Sequence, residues 1–321
     1  MLRIIICFIT FLAFVPLNAE VTIQKKDNYI YITGDGMPNH ATGDFPSRSN
    51  PNAISAQNYN FKVPAYPTKN SSITETGQNT FGVAVNGVPF DPPTAEFWNN
   101  DRSSGWAEEG IVDGKKYLGI DSSNAHVQPT GAYHYHGIPE AIITDNIQFV
   151  GYAADGFPIY YNANLKSSYK LKSGSRPDNS PGGTYDGKYN KDFEYIEGLG
   201  DLGQCNEYTG ITPEYPDGAT YYVVTETFPF APRCWIGTPD TTFLKQGGGS
   251  NQMDSMSSGR RSGSSDNSRN GPPEQAIAAC SGMSSGDSCE FEGRGGNTVS
   301  GSCHNSPHGV ACRPANMRGR R

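Results

Sequence analysis

The residues with the clearest potential for chemistry are histidines. The chain has six of them, and three lie close together, at His126, His134 and His136. The intervening Pro-Thr-Gly of residues 129–131 predicts a turn, so His126 should precede a hairpin turn and the other two should follow it. Side chains two residues apart on a strand point to the same face. His134 and His136 should therefore project together and meet His126 across the ladder.

Three converging imidazoles form a typical site for a transition metal. We therefore predict a metal site on these histidines, with copper or zinc as the metal. An open coordination position on such an ion would activate water or dioxygen. The pattern defines neither a substrate nor a reaction.

The same histidines allow two interpretations without a metal. In one, each imidazole donates to a backbone carbonyl or a carboxylate and aromatic rings pack around it, so that the histidines only brace the fold. In the other, the imidazoles act directly as general acids and bases. The sequence leaves these alternatives open, and with them the question of whether the protein is an enzyme.

Residues near the cluster are candidates for orienting the imidazoles, namely Asp121, Asp155, Tyr133, Tyr135 and Glu140. The two aspartates are also good turn formers. Glu140 completes a His-x-His-x-x-x-Glu spacing that matches the first metal motif of cupin barrels. The later histidine of the cupin pattern is missing, and Pro139 is expected to turn Glu140 away from the cluster.

Several other functions are excluded. The chain has no phosphate-binding Gly-x-x-x-x-Gly-Lys-Ser/Thr motif, no strand-linked dinucleotide fingerprint and no Gly-x-Ser-x-Gly nucleophile elbow. We therefore expect no nucleotide cofactor. The net charge of −7 argues against a general nucleic-acid binder, because nothing would draw the protein to phosphates.

The first nineteen residues, 1–19, predict a secretory signal peptide. Arg3 supplies the positive start, residues 4–15 form an apolar run, and Ala19 ends a suitable cleavage site. This run is too short to span a bilayer, and no other apolar run approaches that length. We expect a cleaved, secreted or periplasmic protein with no membrane span in the mature chain.

Six cysteines follow the predicted signal peptide, and an even number in an exported chain predicts three disulfides. A long low-complexity segment separates Cys205 and Cys234 from the other four, so these two are expected to pair. Within the tail we predict the pairs Cys280 with Cys303 and Cys289 with Cys312. The alternative, a zinc site, lacks a close pair of cysteines.

The composition predicts a mainly β fold, a sandwich or barrel-like domain with long loops. Hydrophobic residues make up only 35% of the chain, whereas it contains 38 Gly, 23 Pro, 18 Tyr and 15 Phe. Alternation and β-forming residues predict strands at 21–33, 80–88, 147–152, 157–161 and 220–228. After the signal peptide we expect a β domain at 20–245, a Gly/Ser/Asn-rich linker at 246–273 and a four-cysteine tail module at 274–321.

The aromatic- and Asn-rich loops indicate a second hypothesis for function. Such loops would bind a carbohydrate, another small molecule or a partner in the cell envelope, and the protein would not be an enzyme. Trp98 and Trp106, in the loop 94–110, are the candidate contacts.

The string Gly-Ala-Tyr-His-Tyr-His-Gly-Ile-Pro at 131–139 resembles the signature of the YHYH-domain proteins, a family of exported and mostly bacterial proteins. Further similar segments lie at 36–46, 86–92, 151–160 and Cys205-Asn206, so the resemblance covers roughly residues 30–240. It implies export, a single domain and an important His cluster, but no particular activity.

The resemblance also adds His40, in the segment 36–46, as a fourth member of the site, either as a ligand or as a support for one. The tail, from Pro272 to Cys312, is similar to a short four-cysteine module that is appended to various exported bacterial proteins.

Overall fold

A computed structural model describes residues 21–112, 117–245, 274–281, 283–292, 298–306 and 309–314. The chain separates into two compact units, residues 1–252 and residues 253–321. The predicted signal peptide, 1–19, and the predicted linker, 246–273, lie outside the described residues.

Strands dominate the described residues, which confirms the mainly β prediction. The strands of the first unit are β1 (Val21–Lys26), β2 (Tyr29–Gly34), β3 (Tyr59–Pro64), β4 (Thr74–Glu75), β5 (Gly82–Ala84), β6 (Pro89–Phe90), β7 (Ala125–Val127), β8 (Tyr133–Tyr135), β9 (Ile147–Ala153), β10 (Pro158–Asn162), β11 (Tyr169–Leu171), β12 (Phe193–Tyr195), β13 (Glu207–Gly210), β14 (Ala219–Val224) and β15 (Cys234–Trp235). Its 3-10 helices are η1 (Trp98–Asn100), η2 (Arg102–Ser104), η3 (Glu140–Ile142), η4 (Asn190–Asp192) and η5 (Thr241–Phe243). The second unit contains α1 (Glu274–Ala278), β16 (Ser288–Glu292), β17 (Thr298–Ser306) and β18 (Gly309–Pro314).

The centre of the first unit is an eight-stranded mixed sheet in the order β13-β14-β10-β9-β5-β6-β8-β7. Strands β13 and β7 are its two edges, so among the described strands this sheet does not close into a barrel. The β7–β8 hairpin forms one end of the sheet, and most pairs are antiparallel. Strands β10 and β14, near the other end, run parallel to each other.

The prediction of one strand over residues 21–33 is wrong, because this segment is the hairpin of β1 and β2. Asp27 has a φ of 54°, in the left-handed region, and reverses the chain there. On β2, Ile30 and Ile32 are buried, whereas Tyr29 and Tyr31 lie on the exposed face. The alternating residues do form β-structure, but the turn at Asp27 divides the segment into two strands. The other predicted strands overlap β5, β9, β10 and β14.

Aromatic rings replace much of the missing aliphatic core. Phe81 packs edge-on against Tyr222, with ring centroids 5.0 Å apart, and stacks on Trp235 at 6.1 Å. The Trp235 indole also donates to the Phe81 carbonyl at 2.9 Å. Tyr135 of β8 packs on Phe90 of the neighbouring strand at 5.4 Å. Large rings bury much apolar surface per residue, and these rings belong to the main buried core of the first unit.

Three disulfides occur, and they join the predicted pairs. Cys205 bonds to Cys234 in the first unit, and the tail contains Cys280–Cys303 and Cys289–Cys312. In the tail, β16, β17 and β18 form an antiparallel sheet whose buried cluster consists mainly of these cysteines. So small a core depends on its cross-links. The bonds are consistent with an extracellular location.

The helices of the described segments are all short. None of them has the length and apolar character required to cross a membrane.

Candidate metal centre

The three histidines lie on one hairpin, as predicted. Between β7 and β8, the Gly131 amide donates to the Gln128 carbonyl at 2.8 Å, and Gly131 has a φ of +84°, which suits glycine. His126 lies directly opposite His134 in the antiparallel register. His136 follows β8, and its amide donates to Asn124 at 2.8 Å, so it remains on the same face as His134. The period of two along the strand thus brings the imidazoles together.

The three rings form a nearly equilateral triangle. Their centroids are 4.6 Å apart for His126 and His134, 4.9 Å for His126 and His136, and 4.8 Å for His134 and His136. One nitrogen from each ring lies within 4.8 Å of those from the other two. His134 and His136 are 3% and 2% exposed, whereas His126 is half-buried. The triad could therefore hold a metal ion that is reached from the side of His126.

A backbone carbonyl holds the Nδ1 atom of each imidazole. The Nδ1 of His126 lies 2.9 Å from the Leu118 oxygen, that of His134 lies 3.2 Å from the Ala132 oxygen, and that of His136 lies 3.2 Å from the Pro92 oxygen. A carbonyl can only accept, so each contact requires a proton on Nδ1. This tautomer leaves the Nε2 lone pair bare, as in metal-binding histidines.

The Nε2 atoms of His134 and His136 face each other at 3.0 Å. With both Nδ1 atoms protonated, two bare lone pairs point at each other in a buried site, which is unfavourable. Moving one proton to Nε2 would restore a hydrogen bond there but leave the Pro92 or Ala132 carbonyl without its donor. A cation between the rings satisfies every group. Two nitrogens at zinc distances in a tetrahedron are about 3.3 Å apart, close to the observed spacing.

Burial lowers the pKa of all three imidazoles. For His134 and His136 the charge of a neighbouring imidazole lowers it further, and the pKa of His134 falls to about 3. Neutral imidazole is the form that binds a metal. The triad is therefore kept in its ligand form at neutral pH.

Asp91 is a buried acidic neighbour that the sequence analysis missed. Burial is the largest single influence and opposes its ionisation, but Lys245, 2.7 Å away, together with His134 and a hydrogen bond from Thr80, lowers the pKa of Asp91. Its negative charge acts on both His126 and His134 and so favours a cation at the triad. Asp91 lies in the segment 86–92, which already resembled the family. That resemblance was the signal available for finding it.

His40 does not lie at the triad but contacts Tyr135. Its Nε2 lies 2.7 Å from the Tyr135 hydroxyl, and its ring stacks on Tyr135 at 6.0 Å. Tyr133 and Tyr135 point to the face of β8 opposite to His134, because successive side chains alternate across a strand. His40 thus covers the tyrosine face of the strand.

The other candidates for orienting the imidazoles have different partners. Asp121 accepts from the Tyr133 hydroxyl at 2.7 Å and from the Ser123 amide at 2.9 Å, so it holds the start of the hairpin. Asp155 accepts from the Tyr222 hydroxyl at 2.5 Å, in another part of the fold. Glu140 begins η3 with an exposed side chain, directly after Pro139. None of these carboxylates hydrogen-bonds to an imidazole of the triad in the described structure.

The two tryptophans proposed as surface contacts differ in exposure. Trp106 is 7% exposed and packs edge-on against Tyr189 at 5.9 Å, so it belongs to the interior of its loop. Trp98 lies in η1 and is half-buried.

A comparison with protein families identifies the domain. The model described as "YHYH protein" matches residues 60–237, more than half of the chain and all three triad histidines. The chain belongs to the YHYH protein family. The matched YHYH region begins after the segment 36–46, so His40 lies outside it, and so does the four-cysteine tail. No curated protein and no solved structure matches the chain.

Proposed function

We propose that this YHYH protein is exported and binds one transition-metal ion, copper or zinc, through His126, His134 and His136. The predicted signal peptide and the three disulfides support export. The ligand set consists only of imidazole nitrogens, since the cysteines of the described residues are disulfide-bonded. Zinc and copper both suit such a set.

The observation that carries the proposal is the close approach of the His134 and His136 Nε2 atoms, 3.0 Å apart in a buried site. Three carbonyl contacts hold the protons on the far side of the rings, and the charge of Asp91 adds an attraction for a cation. These features account for a metal ion better than for a purely structural cluster.

The chain's own groups orient the site and control access to it. The carbonyls of Pro92, Leu118 and Ala132 fix the ring planes, and the buried positions of His134 and His136 exclude water from two sides. With these three ligands and one position left for water or a substrate, a bound ion would supply Lewis-acid chemistry.

Metal content by elemental analysis tests the proposal. The protein should be exported to an oxidising compartment without a His-tag and compared with a His134→Ala/His136→Ala double variant. A His40→Gln variant is the matched control, because it changes a histidine outside the triad. We expect about one equivalent of copper or zinc in the wild type and in His40→Gln, and none in the double variant. Absence of metal from the wild type, even after incubation with each ion, would overturn the proposal.

A second candidate is a non-enzymatic envelope or carbohydrate-binding module with structural histidines. The observation in its favour is that every Nδ1 of the triad already has a backbone partner. This candidate predicts no stoichiometric metal. It also predicts that the double variant loses several kcal/mol of stability, about 1–3 for each buried carbonyl left unpaired. Elemental analysis separates the two candidates, because the metal-free wild type keeps the same three carbonyl contacts under either of them.

A further inference from the structure

A cavity of about 450 Å³ opens where β10 and β14 end. These neighbouring strands run parallel, with Tyr161 beside Val224 at their carboxyl ends. The chain then leaves β10 through residues 163–167 and leaves β14 through residues 225–227, so a crevice remains between the two exits. Crevices beyond the carboxyl ends of parallel strands are common ligand sites, and this volume lies within the roughly 300–1,000 Å³ usual for small molecules.

None of the cavity-lining residues belongs to the histidine triad or supplies its carbonyls. The cavity is therefore a separate site.

Two tyrosine rings provide apolar faces in this cavity. Tyr161 and Tyr169 both line it and both are half-buried. Tyr169 is held in place, because its hydroxyl donates to the Gln204 carbonyl at 2.8 Å and its ring packs edge-on against Phe228 at 5.2 Å. Leu165 adds an aliphatic wall. These side chains make part of the lining apolar, and a ligand with an apolar face could pack against them.

Polar groups with spare hydrogen-bonding capacity surround these faces. The Asn162 amide, 7% exposed, accepts from the Asn164 amide at 3.1 Å and donates to the Tyr221 hydroxyl at 3.3 Å. One N–H and one lone pair of that amide remain. Lys166 and Glu226 lie exposed at the rim. Within the described part of the chain neither forms an ion pair within 4.0 Å, with each other or with another residue.

This combination defines a chemical class of ligand. Rings that present flat faces, together with an amide, a carboxylate and an ammonium group, match the C–H faces and vicinal hydroxyls of a sugar. One positive and one negative rim charge cancel, so nothing in the lining selects a phosphate or another anion. We propose that the β10–β14 cavity binds a neutral saccharide.

Isothermal titration calorimetry with neutral trisaccharides of glucose, mannose, galactose and N-acetylglucosamine tests the proposal. Trigalacturonate serves as an anionic comparator. We expect saturable binding of at least one neutral trisaccharide and no tighter binding of the anionic one. Failure of every neutral probe to saturate, or at least tenfold tighter binding of trigalacturonate, would overturn the proposal.

Substitutions of lining residues test whether the saccharide binds in this cavity. Tyr161→Ala is expected to weaken it about tenfold, the equivalent of one lost aromatic stacking contact. Tyr66→Ala is the matched control, since this tyrosine is 66% exposed and does not line the cavity. Glu226→Gln changes an exposed rim residue and cannot disturb the core, and it should weaken binding at least threefold. Unchanged affinity in both Tyr161→Ala and Glu226→Gln would contradict the location.

The saccharide proposal stands apart from the metal proposal. Binding should be the same in the wild type and in the His134→Ala/His136→Ala variant, provided that their circular dichroism spectra agree. Loss of saccharide binding in that variant would contradict a separate site.

Discussion

Arg233 and Glu109 form a buried ion pair, with Arg233 Nη2 2.6 Å from Glu109 Oε2. Burial raises the pKa of Glu109, and the charge of Arg233 partly offsets this effect. The next residue, Gly110, packs against His136: a Cβ atom built on Gly110 would lie 3.4 Å from His136 Nδ1. The ion pair therefore anchors the loop that supports one side of the triad.

Removing Arg233 should destabilise the protein strongly. Arg233→Met leaves the Glu109 carboxylate buried without its partner, which we expect to cost about 3–5 kcal/mol in urea unfolding. The double variant Arg233→Met/Glu109→Gln removes the charge as well and should recover most of that loss. If the single and double variants unfold at the same urea concentration, the ion pair is not the cause of the destabilisation.

Substitution of Gly110 should weaken metal binding without unfolding the protein. The added methyl of Gly110→Ala would be crowded by Thr94 Cγ2 at 3.2 Å and would touch His136 Nδ1 at 3.4 Å, so moving away from Thr94 presses it against His136. Metal affinity should fall about 10–100-fold, as for other changes behind a ligand. Competition with a chromogenic chelator measures the metal affinity of the variant and of the wild type.

The variant Thr94→Ser offers a matched test of that mechanism. It keeps the hydroxyl that donates to the Glu108 carbonyl at 2.6 Å but loses the methyl that crowds residue 110. Combined with Gly110→Ala, it should restore part of the affinity. A Gly110→Ala variant that binds metal as tightly as the wild type would contradict the expected crowding.

Asp155 should make stability fall as pH rises from about 4 to 6. Burial raises its pKa from 3.8 to about 6, against the hydrogen bonds from Tyr222 and Gly237. The folded protein thus holds a proton that the unfolded chain has lost, so the stabilisation is complete below the unfolded pKa and vanishes above the folded one. The free energy of unfolding should therefore be about 3 kcal/mol larger below the unfolded pKa of Asp155 than above its folded pKa.

Comparison with Asp155→Asn isolates this effect. The lowered pKa values of the triad histidines act in the opposite direction, because their contribution to stability is lost as pH falls below about 6.5. The difference between wild type and variant cancels that contribution. We expect urea unfolding to show a wild-type stability that declines relative to the variant between pH 4 and pH 6. Parallel profiles would contradict the raised pKa.

The Cys205–Cys234 bond should stabilise the first unit substantially. It closes a loop with a sequence separation of 29 residues, so the double variant Cys205→Ala/Cys234→Ala should lose about 3–4 kcal/mol. Cys280→Ala/Cys303→Ala is the control, because it removes a bond from the second unit. Calorimetry should show a lower transition temperature for the first unit in the first variant only. An unchanged transition temperature in Cys205→Ala/Cys234→Ala would contradict this stabilisation.

The triad was predictable because it depends on short-range rules. A three-residue turn and the period of two along a strand sufficed to place His126, His134 and His136 on one face. The Cys205–Cys234 pair followed from the long segment that separates these two cysteines from the other four, whereas the distribution along the chain did not decide the pairs within the tail. The predicted strands overlapped real ones, since alternation and β-branched or aromatic residues mark half-buried strands.

The remaining features depend on contacts between distant segments. The Pro92 and Leu118 carbonyls are backbone atoms without any signature in the sequence. Asp91 approaches the triad only because β6 pairs with β8. His40, 95 residues before Tyr135, reaches the tyrosine face through a loop whose path no local pattern defines. The burial of Trp106 against Tyr189 likewise depends on a contact between segments that are distant in the sequence.

Strand β8 carries imidazoles on one face and phenols on the other, within a single short string. One residue inserted or deleted between Gly131 and Tyr133 would exchange the two faces, placing tyrosines at the triad and histidines in the aromatic core. A substitution at one of these positions alters the contacts of one side chain, whereas a change of length disrupts those of every side chain in the string at once. Among natural variants of this hairpin, the spacing between turn and string should therefore vary less than the residues themselves.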